Sequence, residues 1–150
     1  MPAAPKASPR PNAASQTRAV EDYLEQIHNL IELKGYARVV DIAANLSISQ
    51  ASVTAMIQKL DAEGFVVYER YRGVTLTEQG LAVGQAIAHR HDVLSRLLTS
   101  FGLDPETVHR DVEGMEHHMS RQTLQALTLI LEELEGNADL LKKLRRKMHK

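Results

Sequence analysis

Apolar residues recur along most of this chain at intervals of three and four, the spacing that gathers them on one face of a helix. The first such run covers about Arg18 to Leu33, aligning Val20, Tyr23, Leu24, Ile27, Leu30 and Ile31, and Gly35 ends it. Val39–Leu46 predicts a short second helix. Ser47-Ile48-Ser49 reads as a tight turn in which Ser49 caps a third helix over Gln50–Glu63, burying Val53, Ile57 and Leu60 and stopping at Gly64. The period then changes. Phe65–Tyr71 and Val74–Leu76 are short β-rich runs around Arg72-Gly73, a hairpin in which Gly73 supplies the unusual backbone angle. Helical spacing resumes from Thr77 to Phe101, with Gly102 as the stop. Asp104-Pro105-Glu106 opens a fifth helix as N-cap, first-position proline and first-turn acid, and that helix ends near Met119. Ser120 caps a sixth, apolar through Leu124, Leu127, Ile130, Leu131 and Leu134, and a basic last helix covers Ala138 to about Lys147.

Helix, short helix, tight turn, helix and hairpin, in that order, describe a winged helix-turn-helix. The predicted fold class is mainly α: an N-terminal winged helix-turn-helix with a small β-hairpin wing, then a C-terminal helical dimerisation domain. The boundaries read from the pattern are a disordered tail over 1–17, a DNA-binding domain over 18–76 and a helical metal-binding and dimerisation domain over 77–150. The third helix would enter the major groove with its N-terminal end, where Gln50, Ser52 and Thr54 have the side chains that pair with base edges. Lys59, Arg70 and Arg72 are candidate phosphate contacts, and Arg38 joins the DNA-binding set. An ordinary helical domain with a polar third helix is the alternative, and winged helices also serve protein contacts.

Composition narrows the chemistry. The 150 residues are 43% hydrophobic and 25% charged with no Cys and no Trp, as in an ordinary soluble globular protein. Without Cys there is no disulfide framework, no thiolate metal site and no Cys nucleophile, so a metal site must use His and carboxylate. No apolar run has the length of a membrane span, and the first residues lack the apolar core of a signal peptide, so the expected location is cytoplasmic. The opening MPAAPKASPRPNAASQT contains four of the five prolines and no apolar period, the composition of a disordered tail. The net charge of −1 hides an asymmetry: Lys6, Arg10 and Arg18 make the start basic, Leu140–Lys150 is strongly basic, and the body between is acidic. A DNA-binding protein usually carries a basic footprint. Cations bound to the acidic body would lessen that discrepancy.

Three segments carry the candidate chemistry: Asp22 with Glu25, His91, and Glu113 with Glu116 and His117. Positions i, i+3 and i+4 share a helix face, so Asp22 and Glu25 converge, as do Glu113, Glu116 and His117. Individually, each group has a plainer reading: surface acids, a core or interface His beside Ile87, Leu94 and Leu98, and a solvated helix edge. Together, four carboxylates crowded at one site would resist ionisation. One divalent ion leaves −2 and two leave zero, which favours a binuclear site. Hard oxygen donors with imidazole suit manganese, and ferrous iron or zinc less selectively.

The stretches EDYLEQIHNLIELKGYARVVDIA, SVTAMIQKLDAEGFVVYERYRGVTLTEQG and DVEGMEHHMS resemble the manganese transport regulator branch of the diphtheria toxin repressor family. The resemblance covers about residues 19–147, and the D-V-E-G-x-E-H-H block with E-D-Y-x-E is its most specific part. It implies a homodimer with two Mn2+ per subunit, held between the DNA-binding and dimerisation domains by Asp22, Glu25, His91, Glu113, Glu116 and His117. Iron-responding relatives have Met and Cys in place of Asp22 and Glu113, and neither sulfur is present here. The function implied is a manganese-activated repressor of metal-uptake genes, bound to a two-fold symmetric double-stranded operator. No enzymatic activity, organic cofactor or membrane partner is expected. The alternatives are a winged-helix regulator answering to iron or another ligand and a two-metal hydrolase, for which there is no motif for a separate nucleophile and no phosphate-cradling loop.

Overall fold

The computed structural model describes residues 13–149, with side chains from residue 17. The chain divides into two compact units after Leu81. The first contains α1 (Ala13–Lys34), α2 (Val39–Leu46), α3 (Gln50–Ala62) and an antiparallel hairpin of β1 (Val66–Glu69) and β2 (Gly73–Leu76). In the second are α4 (Glu78–Ser100), whose first turn spans the division, α5 (Pro105–Met115), a 3-10 turn (Glu116–His118), α6 (Arg121–Gly136) and α7 (Ala138–Met148).

α1 starts at Ala13, five residues before the start expected from the apolar period. The added turn has no apolar stripe to reveal it. Ala13 and Ala14 lengthen the helix through propensity, since alanine is the strongest helix former. The expectations for the tail over residues 1–12, including Lys6 and Arg10, lie outside the described residues.

Within the first unit, the periodic positions are the buried ones: Leu24, Ile27 and Leu30 on α1, Ile42 and Ala43 on α2, and Val53, Ile57 and Leu60 on α3. α2 ends at Ser47, which adopts the left-handed conformation at φ 55°. Two residues on, the Ser49 hydroxyl accepts from the Ser52 N–H at 3.2 Å and caps α3. The hairpin loop is Arg70-Tyr71-Arg72, because Glu69 pairs with Gly73. Gly73 is therefore the first residue of β2, at φ +98°, where a Cβ would run into the Ala37 carbonyl. Both the backbone angle and the close approach require glycine. The base of the hairpin is fixed: the Val74 N–H donates to Ala37 at 2.8 Å, and the Thr77 hydroxyl donates to Gly64 at 2.6 Å.

In the second unit, Leu94, Val108 and Val112 form a core that Leu98, Leu103, Met119 and Leu127 extend. Each helix start is capped: Asp104 accepts from the Thr107 N–H at 2.9 Å, Ser120 from Thr123 at 3.1 Å, and Asn137 from Leu140 at 3.0 Å. The Thr107 amide holds the Asp104 carboxyl below the usual carboxylate range. Arg96 joins α4 to α6 through Glu135 and also pairs with Asp92. The acceptors on both sides raise its pKa further. On α7, Leu140, Leu141 and Leu144 are half-buried while its lysines and arginines are exposed, an amphipathic helix with its charge in water.

Candidate metal centre and nucleic-acid interface

Glu116 is 1% exposed. One carboxylate oxygen, Oε2, lies 3.0 Å from His91 Nδ1. Its other oxygen, Oε1, is buried without a hydrogen bond and stands 3.5 Å from His117 Nε2. Glu113 approaches the same His91 nitrogen at 4.0 Å. The ligand atoms of Glu113, Glu116 and His117 all lie within 4.8 Å of one another. Four of the six expected ligands thus form one cluster in the second unit. Its inner side, Glu116 and His117, is sealed from solvent, and its outer side, His91 and Glu113, is partly open.

A carboxylate with one unbonded oxygen inside a protein costs about 1–3 kcal/mol. Such a group invites a cation, and the surrounding donors are imidazole and carboxylate, a set that fits a divalent first-row metal. Asp22 and Glu25 are three residues apart on α1 in the first unit. Among the described residues, Glu25 and Glu116 are the buried acidic side chains, at 7% and 1% exposure. Both belong to the expected ligand set, although acids are otherwise rarely buried. His89 and His118, neighbours of the ligands in sequence, are exposed.

The local backbone differs from the expectation. A continuous helix to Met119 was anticipated, but α5 ends at Met115 and Glu116–His118 is a 3-10 turn. The tighter turn keeps Glu113 and Glu116, three apart, on one side. Its cause is partly visible: Met119 is extended and packs against the Leu94–Val112 core, which pulls the chain out of the helix.

On the first unit, Gln50 and Ser52 are exposed at the start of α3, and Thr54 is half-buried one turn on. Ser52 is also tied to the cap, its Oγ accepting from Ser49 Oγ at 2.9 Å. Lys59 pairs with Glu63 at 3.9 Å and Arg72 with Glu69 at 3.5 Å. These pairs are solvent-exposed and weak, so phosphate can compete for both cations. The Arg38 guanidinium lies 4.7 Å from the centre of the Tyr36 ring, a cation–π arrangement that orients it. Sequence reasoning did not single out Tyr36. The signal, an aromatic two residues before an arginine at a helix start, is common and specifies nothing unaided.

Two family models match this chain end to end. The iron-dependent repressor N-terminal DNA-binding domain matches residues 16–74, and the iron-dependent repressor metal-binding and dimerisation domain matches residues 77–144. The chain belongs to the iron-dependent repressor family. As a member, it is a metal-responsive DNA-binding transcriptional regulator. It is 47% identical over 128 residues to the HTH-type transcriptional regulator MntR of Lysinibacillus sphaericus, covering 85% of this chain and 92% of that one. It is 53% identical over 104 residues to the MntR of Geobacillus kaustophilus, covering 69% and 74%. Among solved structures, the manganese regulator SloR superimposes with a TM-score of 0.64 at 26% identity, over 75% of this chain and 53% of SloR. ScaR with bound Zn2+ gives 0.63 at 29% identity, over 75% and 53%. The chain spans about half the length of these two structural relatives.

Among the described residues, no helix is long and apolar enough to cross a membrane.

Proposed function

We propose that this chain is a manganese-responsive repressor that binds a two-fold symmetric DNA operator as a homodimer in the cytoplasm. The observation that carries the reading is the buried Glu116, whose Oε1 has no hydrogen bond and which is grouped with His91, Glu113 and His117. We assign Asp22, Glu25, His91, Glu113, Glu116 and His117 as the ligands.

When bound, the metal supplies the positive charge that a cluster of partly buried carboxylates lacks. Glu116 and His117 would hold it from the sealed side, and His91 and Glu113 from the open side. Asp22 and Glu25 contribute two further carboxylates from α1. Four carboxylates are neutralised by two divalent ions, so two Mn2+ per chain is the stoichiometry that balances charge. The absence of sulfur from the set favours manganese over softer metals. A response to ferrous iron is the second reading, supported by the description of the family itself.

For DNA, the reading assigns base contacts to Gln50, Ser52 and Thr54 and phosphate contacts to Arg38, Lys59, Arg70 and Arg72. A homodimer is supported by apolar surface on α6, where Leu129 is 61% and Ile130 50% exposed. Two copies related by a two-fold axis present two α3 helices, and such dimers read half-sites about 34 Å apart. By linkage, metal and DNA must each strengthen the binding of the other by the same factor.

Calorimetric titration of the purified full-length chain with Mn2+ tests the metal assignment. The expected result is two ions per chain, with stoichiometry or affinity lost in Asp22→Ala and His117→Ala. Saturable Mn2+ binding that is unchanged in both variants would refute the ligand assignment.

A further inference from the structure

The tip of the hairpin carries a residue that neither the metal centre nor the DNA contacts above make use of. Tyr71 is 92% exposed, which leaves almost the whole apolar ring in water. It is the middle residue of the loop Arg70-Tyr71-Arg72, and both arginines are exposed. The loop is closed by the Arg72 N–H donating to Glu69 at 3.0 Å and is followed by Gly73 at φ +98°. Its base is pinned to Ala37 and to Thr77. Tyr71 is therefore presented on a fixed two-stranded support. Beside it, a concavity of about 190 Å3 is lined by Arg38, Val40, Tyr68, Arg70 and Tyr71. Cationic and aromatic side chains alternate over this surface. Glu69 is the one acid between Phe65 and Leu76, and Arg72 already pairs with it.

We propose that Tyr71 is a DNA contact: with α3 in a major groove, the tip of the hairpin meets the flanking minor groove and the Tyr71 side chain enters it. The inference rests on the DNA-binding reading above. The B-DNA minor groove is about 6 Å wide, which admits a side chain but neither a helix nor a hairpin. A phenol hydroxyl can donate to the adenine N3 or thymine O2 acceptors there, whereas guanine places an amino group in the way. Arg70 and Arg72 flank the ring and match the more negative potential of a narrow A·T groove. The hairpin would thus add a preference for A·T pairs outside the positions that α3 reads.

The test is selection from a pool of random-sequence duplexes by the full-length protein with Mn2+, run in parallel for wild type and Tyr71→Ala. A side chain this exposed can be removed without disturbing the fold, and unchanged Mn2+ binding by the variant confirms that. Both proteins are expected to select the same central sequence. Wild type alone selects A·T pairs in the flanks, and the variant binds the wild-type duplex about tenfold more weakly. The salt dependence stays the same, because no phosphate-binding charge is lost. Replacing flanking A·T by inosine·C, which presents the same minor groove, is expected to preserve wild-type affinity, while G·C lowers it. Identical flanks and affinity for Tyr71→Ala would overturn the proposed contact alone. Failure of wild type to select any sequence would overturn the DNA-binding reading with it.

Discussion

Replacing Glu116 with Gln removes a charge from the sealed side of the cluster and leaves its shape. In the metal-free protein, the amide oxygen can accept from His91 as Oε2 does at 3.0 Å. The amide nitrogen takes the place of Oε1 beside His117 Nε2, now 3.5 Å away. The cost of a buried carboxylate with an unbonded oxygen, about 1–3 kcal/mol, is thereby reduced. The metal-free variant should therefore be as stable as wild type, or about 1 kcal/mol more so. With metal, the comparison reverses. A ligand at a hundred times its dissociation constant stabilises a protein by about 2.7 kcal/mol. For a chain of this size, that raises the melting temperature by roughly 5–10 °C. Glu116→Gln should lose most of this shift. The assay is thermal unfolding of wild type and variant, each with chelator and with Mn2+. A variant that is markedly less stable without metal yet keeps the wild-type Mn2+ shift would refute the reasoning, because Glu116 would then be a structural group.

Gly73→Ala forces a Cβ onto the Ala37 carbonyl at a backbone angle that side chains avoid, and should destabilise the first unit by about 2–4 kcal/mol, seen as a lower denaturant midpoint. Asp104→Ala removes the α5 cap and should lower stability at neutral pH. The folded-state pKa of Asp104 lies below its ordinary 3.8, so the stability it contributes is complete above that value and lost as pH falls through the depressed one. Wild type and variant should accordingly converge in acid unfolding curves, and a gap that persists at low pH would contradict the cap's role. Ile130→Glu places a charge on the exposed apolar surface of α6 and should shift the chain toward monomer in sedimentation; an unchanged dimer would move the interface elsewhere.

Much of the fold was legible because its signals are local. Gly35, Gly64 and Gly102 end helices with φ near +80°, and Ser49, Asp104 and Ser120 begin them with side-chain caps. These residues report backbone geometry that few others tolerate. α2 has the expected bounds for the same reason. What could not be read depends on tertiary contact. The break from α5 into a 3-10 turn follows from where Met119 packs. The Gly80 position, where a Cβ would strike the Phe65 carbonyl, looks in sequence like an ordinary residue of a helix. At the site, spacing identified Glu113, Glu116 and His117 as neighbours, but not which would be sealed. Burial singled out Glu116, and only coordinates reveal it. The loop Arg70-Tyr71-Arg72 is one residue longer than a turn centred on Arg72-Gly73, and that difference puts Tyr71 at the tip.

The account stands most directly on the affinity of the full-length protein for its selected duplex, measured at fixed salt with Mn2+ and then with excess chelator. Metal-dependent repression through the six ligands predicts that chelator weakens binding by at least about fivefold, the lower end of ordinary allosteric coupling, and that Glu113→Ala binds at the chelated level throughout. Equal affinity with and without Mn2+ in the wild type, or a full metal response in Glu113→Ala, would contradict it.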